Sequence, residues 1–288
     1  MGAGMKPGIH EIKATEYHAD PAPEPSLSNS LAKILLNKSP LHAWCAHPRL
    51  NPDYKHFDDD KFDIGTAAHA MLLEGDNTKI CVVDAPDWRT KAAQTARDEA
   101  RSNGLTPILA KHDTAIKRMV TAAKTFIDTT EFEGIFQNGK PEQVLLWQED
   151  DIWLRSMLDW LTTDRTVILD YKTTEDASPE VFSRQIARMG YDMQAAFYTR
   201  GLMALGLPEP RFIFLAQETS YPHACSLHTL TPALMEIANA KVQAAVDLWT
   251  DCIASGKWPA YTSRLCWAEP AAWQIAEMER MMAEQENL

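Results

Sequence analysis

Cysteine is scarce and scattered. Cys45, Cys81, Cys225, Cys252 and Cys266 form no C-x-x-C pair, so neither a zinc ribbon nor a disulfide framework is expected. An iron-sulfur cluster is excluded on the same ground: it needs four thiols with three close together, and the last three here stand 27 and 14 residues apart. Glycine is also sparse, with 12 in 288 residues, and no Walker-type GxxxxGK segment is present to cradle a nucleotide phosphate. No stretch reaches the 18 or so apolar residues of a membrane span, and MGAGMKPGIHEIKATEYH at the start lacks the apolar core of a signal peptide. A cytoplasmic protein without a membrane partner is expected. Positive charge is in deficit, 28 Lys and Arg against 40 Asp and Glu for a formal −12, which argues against a surface that coats nucleic acid or anionic lipid throughout. A local basic groove stays compatible with that total.

What is present is ordinary globular composition, 45% hydrophobic and 24% charged, enough for one large domain. No internal repeat or low-complexity tract occurs. Three prolines in DPAPEPSLS make the first residues a spacer, and Ser28 or Ser30 can cap the amphipathic run SLAKILLNKSPLHAW as a helix. A second helix is predicted from Asp63 through Leu73, ending at Gly75. Between Asp84 and Lys124 the charge balance reverses, with eight Lys and Arg against five Asp and Glu, a local +3. This stretch reads as helices joined by the turn SNGLTP. From Glu142 the period turns extended: EQVLLWQ and IWLRSMLDW form a hairpin and TVILDYKT a third strand. A helix over PEVFSRQIARMGYDMQAAFYTRGLMAL follows, then strands RFIFLAQ and ACSLHTL and a long helix ending at Gly256. The order β-β-β-α-β-β-α after a helical region predicts an α/β fold with a mixed central sheet flanked by helices. We expect one domain: an extended segment over 1–27, a mainly helical region over 28–135, a core of sheet and helices over 136–260, and over 261–288 a C-terminal helix whose Met and Trp stripe suits a packing or oligomer face.

The informative stretch runs from Asp159 to Lys172. On a strand, residues i and i+2 share a face, so Asp170 and Lys172 emerge together while Tyr171 turns away. Val167, Ile168 and Leu169 make a strand apolar enough to be buried, and charges at its end are costly without a purpose. A surface ion pair of little worth is the plain alternative. Asp159, at the end of the preceding strand, comes near Asp170 if the two strands pair, and converging carboxylates suit a hard divalent cation. His69 stands on a helix of small side chains, GTAAHA, and Gln194 and Tyr198 are four apart on one helical face.

Together these segments resemble a family. GTAAH at 65–69, Glu142 opening a strand, MLDW with Asp159, LDYKT with Asp170 and Lys172, and QAAFY with Gln194 and Tyr198 resemble the PD-(D/E)xK nucleases of the RecB-like exonuclease group. EYHADP, SLSNSLAKILLNKSPLHAW, FDIGTAAHAMLLEG and WPAY are similar to its RecE-type, exonuclease VIII-like branch, and the resemblance spans nearly the whole chain. It implies that His69, Asp159, Asp170 and the backbone carbonyl of Tyr171 ligate Mg²⁺, with Mn²⁺ a possible substitute. It further implies that Lys172 orients water or stabilises charge on the phosphate, that Gln194 and Tyr198 hold the scissile strand or polarise the site, and that Glu142 is an outer acidic member. Asp170 departs from the pattern, since many relatives in the superfamily carry Glu there; the shorter side chain makes for tighter geometry.

The implied activity is a metal-dependent exodeoxyribonuclease acting on the ends of linear double-stranded DNA, processive and 5′ to 3′, leaving 3′ single-stranded tails for phage-type recombination. Arg89, Lys91, Arg97 and Arg101 are the expected DNA contacts, with Trp88 available to stack on a base. A ring-like homotrimer or homotetramer and a single-strand annealing protein are the implied partners. The alternatives are an endonuclease of the same superfamily and an inactive DNA-binding scaffold that keeps the fold.

Overall fold

The computed structural model describes residues 4–54, 63–75 and 77–286. The N-terminal residues are not the spacer their prolines suggest. They form β1 (Gly8–His10), α1 (Ala14–His18) and β2 (Ser26–Ser28). β1 lies antiparallel on residues 144–146 and β2 parallel on residues 153–155. A buried charge cluster holds them there. Asp20, fully buried, accepts from Ser26 N at 2.9 Å and Ser26 Oγ at 2.6 Å, and faces Arg155 at 3.3 Å and His47 at 3.2 Å. A carboxylate removed from water needs such partners.

SLAKILLNKSPLHAW is two helices rather than one. α2 (Asn29–Asn37) starts at Ser28, whose side chain accepts from Leu31 N, and α3 (Pro40–Cys45) starts at Ser39, because Pro40 cannot continue a helix but suits a first turn. α4 (Asp63–His69) runs into a π-helical turn over Ala70–Glu74 that stops at left-handed Gly75, φ 64°. Bonds from i to i+5 in that turn place residues five apart on one face. The basic stretch contains strands as well as helices: β3 (Ile80–Val83), α5 (Lys91–Ser102), β4 (Thr106–Leu109) and α6 (Ala110–Ile127), with β3 and β4 paired in parallel as a separate small sheet.

The core follows in the expected order. β5 (Gly139–Glu149) and β6 (Ile152–Thr162) form the hairpin, then come β7 (Val167–Thr174), α7 (Pro179–Arg188) and α8 (Tyr191–Ala204). The one helix predicted for the last two breaks at Gly190, whose φ of 63° is cheap only for glycine. β8 (Arg211–Glu218), β9 (Cys225–His228), α9 (Pro232–Ser255) and α10 (Ala272–Glu286) complete the chain. The main sheet runs β1-β5-β6-β7-β8-β9, with β2 added on β6. β7 with β8 and β2 with β6 are parallel and the other pairs antiparallel, so the sheet is mixed. One face buries Leu145, Trp147 and Phe214 against Leu31, Phe197 and Trp249; the other buries Trp160, Leu169 and Ile213 against Ala67, Ala68 and Met119. On α10, by contrast, Trp273, Ile275, Met278, Met281 and Met282 are exposed.

One detail of the sheet positions the site. β5 occupies one edge of β6 along its length, and the other edge is shared: β7 pairs only at Trp160 and Leu161, β2 at Trp153 to Arg155. The next register position would set Asp159 opposite Asp170, and there β6 and β7 part. Backbone groups at such a fork must find partners outside the ladder. Among the described residues no helix is long and apolar enough to cross a membrane.

Candidate active site

The fork gathers side chains from five elements. Ile168 and Leu169 anchor β7 in the two cores, and Asp170 follows with no exposure at all. Its carboxylate is gripped by Lys172 Nζ, two residues on along the same face, and by the amide of Gln194 from α8. Tyr171 points the other way, its hydroxyl donating to Gln217 at 2.5 Å. The Tyr171 backbone N–H, freed from the ladder, donates to Asp159 Oδ2 at 3.0 Å, and His69 Nε2 stands 3.4 Å from the same oxygen. His69, Asp159 and Lys172 keep side-chain exposures of 23, 20 and 18%, so the centre is buried yet open to solvent on one side. Tyr198 shares the α8 face with Gln194, four residues on.

Glu142 sits in β5 between Pro141, paired with Trp160, and Gln143, paired with Leu158, which sets it opposite Asp159. Its φ of 49° is left-handed, a conformation costing a non-glycine residue about 1–2 kcal/mol. The strand thus kinks where the acids meet.

The electrostatics follow from the crowding. Burial, then the charge of Asp159, pushes the Asp170 carboxyl up to about 7. Burial opposes charge on Lys172 too, but Asp170 and Asp159 outweigh it and hold the ammonium firmly protonated. Burial likewise disfavours the Asp159 carboxylate and His69 imidazolium, and their mutual attraction reverses both effects, lowering the acid and raising the base. Glu142 is raised by burial and by Glu74.

Glu74 is the residue that sequence reasoning missed. His69, Glu74 and Glu142 offer ligand atoms all within 4.8 Å of one another, because the π turn carries Glu74 to the His69 face; Lys79 caps the Glu74 carboxylate from outside. Among the described residues, the donors that come within reach of a single cation are those of His69, Glu74 and Glu142, and Asp159 stands 3.4 Å from the same histidine. One imidazole nitrogen and several carboxylate oxygens fit Mg²⁺ or Mn²⁺, and the ionisation that burial resists at Asp170 is what a positive charge would relieve.

The basic residues expected to meet DNA lie on the loop before α5 and on α5 itself. Arg89 is 91% exposed beside Asp87; Lys91 opens the helix; Arg97 pairs with Asp98 at 3.1 Å and stands 5.9 Å over the Trp88 ring; Arg101 is in the last turn.

A mixed sheet between helical layers, with Asp159, Asp170 and Lys172 at a strand fork, defines a PDDEXK-like nuclease fold. The chain belongs to the family described as PDDEXK-like domain of unknown function (DUF3799), whose model matches residues 28–268. No curated protein matches the sequence. Among solved structures it is similar to a presumed exonuclease of Eubacterium rectale at a TM-score of 0.60 and 10% identity, over 92% of this chain and 98% of that one. A phage-related exonuclease of Haemophilus somnus 129PT (TM-score 0.29, 14% identity, 66% of this chain and 95% of that one) and an alkaline exonuclease of Laribacter hongkongensis (TM-score 0.28, 15% identity, 66 and 96%) share less of the geometry. The likeness to the Eubacterium rectale protein is one of fold.

Proposed function

We propose that the protein is a divalent-metal-dependent exodeoxyribonuclease that degrades linear double-stranded DNA from its ends. The observation that carries this reading is the convergence of His69, Asp159, Asp170, Lys172 and Gln194 at one fork, from segments far apart in the chain. Asp159, Asp170, His69 and the Tyr171 carbonyl would hold the cation, with Glu74 and Glu142 on its outer side. When bound, a divalent cation supplies a water acidic enough to attack at neutral pH and neutralises charge on the phosphate.

The chain's own groups do the rest. The Lys172 ammonium is fixed beside Asp170, pre-aimed at an oxyanion growing on phosphorus, where a placed charge acts without reorganisation. The Gln194 amide fixes which Asp170 oxygen faces the centre, and Tyr198, on the same helical face, holds the scissile strand. Asp159, spending one oxygen on His69 and the Tyr171 N–H, keeps the other available. Arg89, Lys91, Arg97 and Arg101 take the phosphates of the duplex, a local positive track on a negative protein.

The finer assignment rests on the sequence resemblance: RecE type, 5′-to-3′ and processive digestion, 3′ tails handed to a single-strand annealing protein in recombination, and work in the cytoplasm. A homo-oligomer is supported by the exposed apolar stripe of α10. The test is nucleotide release from one plasmid, either linearised or covalently closed, with Mg²⁺ and with EDTA. Metal-dependent release from the linear form alone is the expected result; cutting of both forms makes it an endonuclease, and release from neither overturns catalysis in favour of a DNA-binding scaffold.

A further inference from the structure

Near its end, β8 contributes a side chain that the proposed reaction does not use. Gln217 has no exposure at all, and Tyr171 and His223, which it meets, are 4 and 6% exposed. Its amide oxygen accepts from the Tyr171 hydroxyl at 2.5 Å. Its amide nitrogen donates to the main-chain carbonyl of Met119 on α6 at 2.9 Å and to that of His223 at 3.2 Å. Two carbonyls can only accept, so they fix which end of the amide is nitrogen, and the remaining oxygen obliges the phenol to donate. Every hydrogen of the amide and the phenol is thus committed. A buried network satisfied in this way holds its members to one arrangement.

Tyr171 is where this network meets the fork. Its main-chain N–H donates to Asp159 Oδ2 at 3.0 Å, on the β6 side. Along a strand a residue's N–H and C=O leave by the same edge, so the Tyr171 carbonyl also faces the fork, and β8, on the other edge, bonds neither group. Nor does a ladder with β6 hold them, because its pairing with β7 ends at Trp160 and Leu169. The handle on this stretch of main chain is therefore the Tyr171 ring, which clusters with Leu215 and Met119 and is tethered at its far end by Gln217. A ring released from that tether can tilt, and its tilt turns the N–H away from Asp159.

We propose that Gln217 is a positioning residue for cleavage: by tethering the Tyr171 hydroxyl to α6 and to the His223 main chain, it fixes the Tyr171 N–H that orients Asp159 and the Tyr171 carbonyl that faces the cation. The assignment rests on the nuclease reading and adds to it a support behind the centre, on the face of the sheet away from Lys172. Gln217 itself touches neither substrate nor metal. Partners placed behind the ligands of a metal commonly decide how well those ligands hold it.

The test compares wild type, Tyr171→Phe, Gln217→Met and the double variant in Mg²⁺-dependent digestion of linear duplex and, without DNA, in Mn²⁺ binding by calorimetry, with thermal unfolding as the check on folding. Tyr171→Phe decides alone should Gln217→Met fail to fold, since it removes one hydroxyl and leaves Gln217 bonded to α6 and to His223. It should lower kcat about tenfold with the KM for DNA within about twofold, and weaken Mn²⁺ binding about tenfold, as loss of a partner behind a metal ligand does. Gln217→Met should do at least as much, and the double variant no more than Gln217→Met, because a link already cut cannot be cut again. A merely structural role would lower the unfolding temperature and leave kcat alone. Tyr171→Phe that keeps kcat and Mn²⁺ affinity within about twofold of wild type, or a double variant whose loss is the product of the single losses, overturns the positioning role and leaves the nuclease reading standing. Wild type that cuts nothing, while Tyr171→Phe still binds Mn²⁺ about tenfold more weakly than it does, supports the positioning of the cation site and overturns the nuclease reading instead. Wild type that neither cuts nor binds Mn²⁺ overturns both.

Discussion

Replacing Asp170 by Asn should make the metal-free protein more stable while destroying its activity. Asp170 is fully buried, and its carboxyl is pushed from an ordinary 3.8 to about 7. The fold therefore holds the proton more tightly than the unfolded chain does. Stability attributable to this group is intact below about pH 4, is lost progressively as pH rises from about 4 to about 7, and stays lost above. Each pH unit in that window is worth about 1.36 kcal/mol, so ionising Asp170 costs the fold about 4 kcal/mol at pH 8 and about 2 kcal/mol at pH 5. Asn keeps the shape and an acceptor for the Gln194 amide but cannot ionise. Lys172 stays charged in either protein, resting 5.1 Å from the Tyr191 ring centre. Urea titration in EDTA should thus find Asp170→Asn more stable by about 4 kcal/mol at pH 8 and about 2 kcal/mol at pH 5, with unchanged m-values. Mg²⁺ or Mn²⁺ should narrow the gap by stabilising only the wild type. A variant less stable than wild type at pH 8, or a gain that does not grow with pH, would refute the reasoning.

Three further outcomes are expected. Lys172→Ala should slow cleavage by about 10²–10³-fold and leave duplex binding within a few fold, and cleavage at the wild-type rate would show the centre to be elsewhere. Asp20→Ala should cost about 3–5 kcal/mol in urea titration, because Arg155, 5% exposed, would keep a buried charge with no partner acid. Since burial of Asp20 is outweighed by His47, Arg155 and Ser26, its carboxyl is lowered; that stability is present above about pH 4 and lost as pH falls through the lowered value, so the wild type should approach the variant in acid, and a loss below about 1 kcal/mol at pH 7 would refute the clamp. Arg89→Ala with Lys91→Ala should weaken duplex binding and reduce the slope of log affinity against log salt by about two; an unchanged slope removes this loop from the DNA path.

Much of the core was legible because its rules are local. Parity along β7 places Asp170 with Lys172 and turns Tyr171 away, and four-residue spacing aligns Gln194 with Tyr198. Alternation in EQVLLWQ and IWLRSMLDW yields β5 and β6. What stayed hidden depends on remote or irregular geometry. Glu74 lies five residues past His69, well round an ordinary helix, and only the π turn restores it to that face. The kink at Glu142 leaves no mark in residue type. β3 and β4 are four residues each, too short for alternation to stand out among helices. β1 and β2 are strands only because β5 and β6 accept them, and nothing in the N-terminal prolines announces a partner so distant.

That distance has a kinetic consequence. Ser26 meets Arg155 across 129 residues of chain, and β2 joins β6 in parallel, a kind of pairing that closes a long loop before it gains any contact energy. The clamp around Asp20 thus cannot close in a growing chain until Arg155 has been made. Until β5 and β6 have been synthesised, Tyr17 and Ala22 lack Val144, Leu146 and Trp153, the buried side chains with which they cluster. The segment made early waits on one made late, and in that interval the exposed strands are the part of the chain most open to chaperones, proteases and pairing with a neighbouring copy.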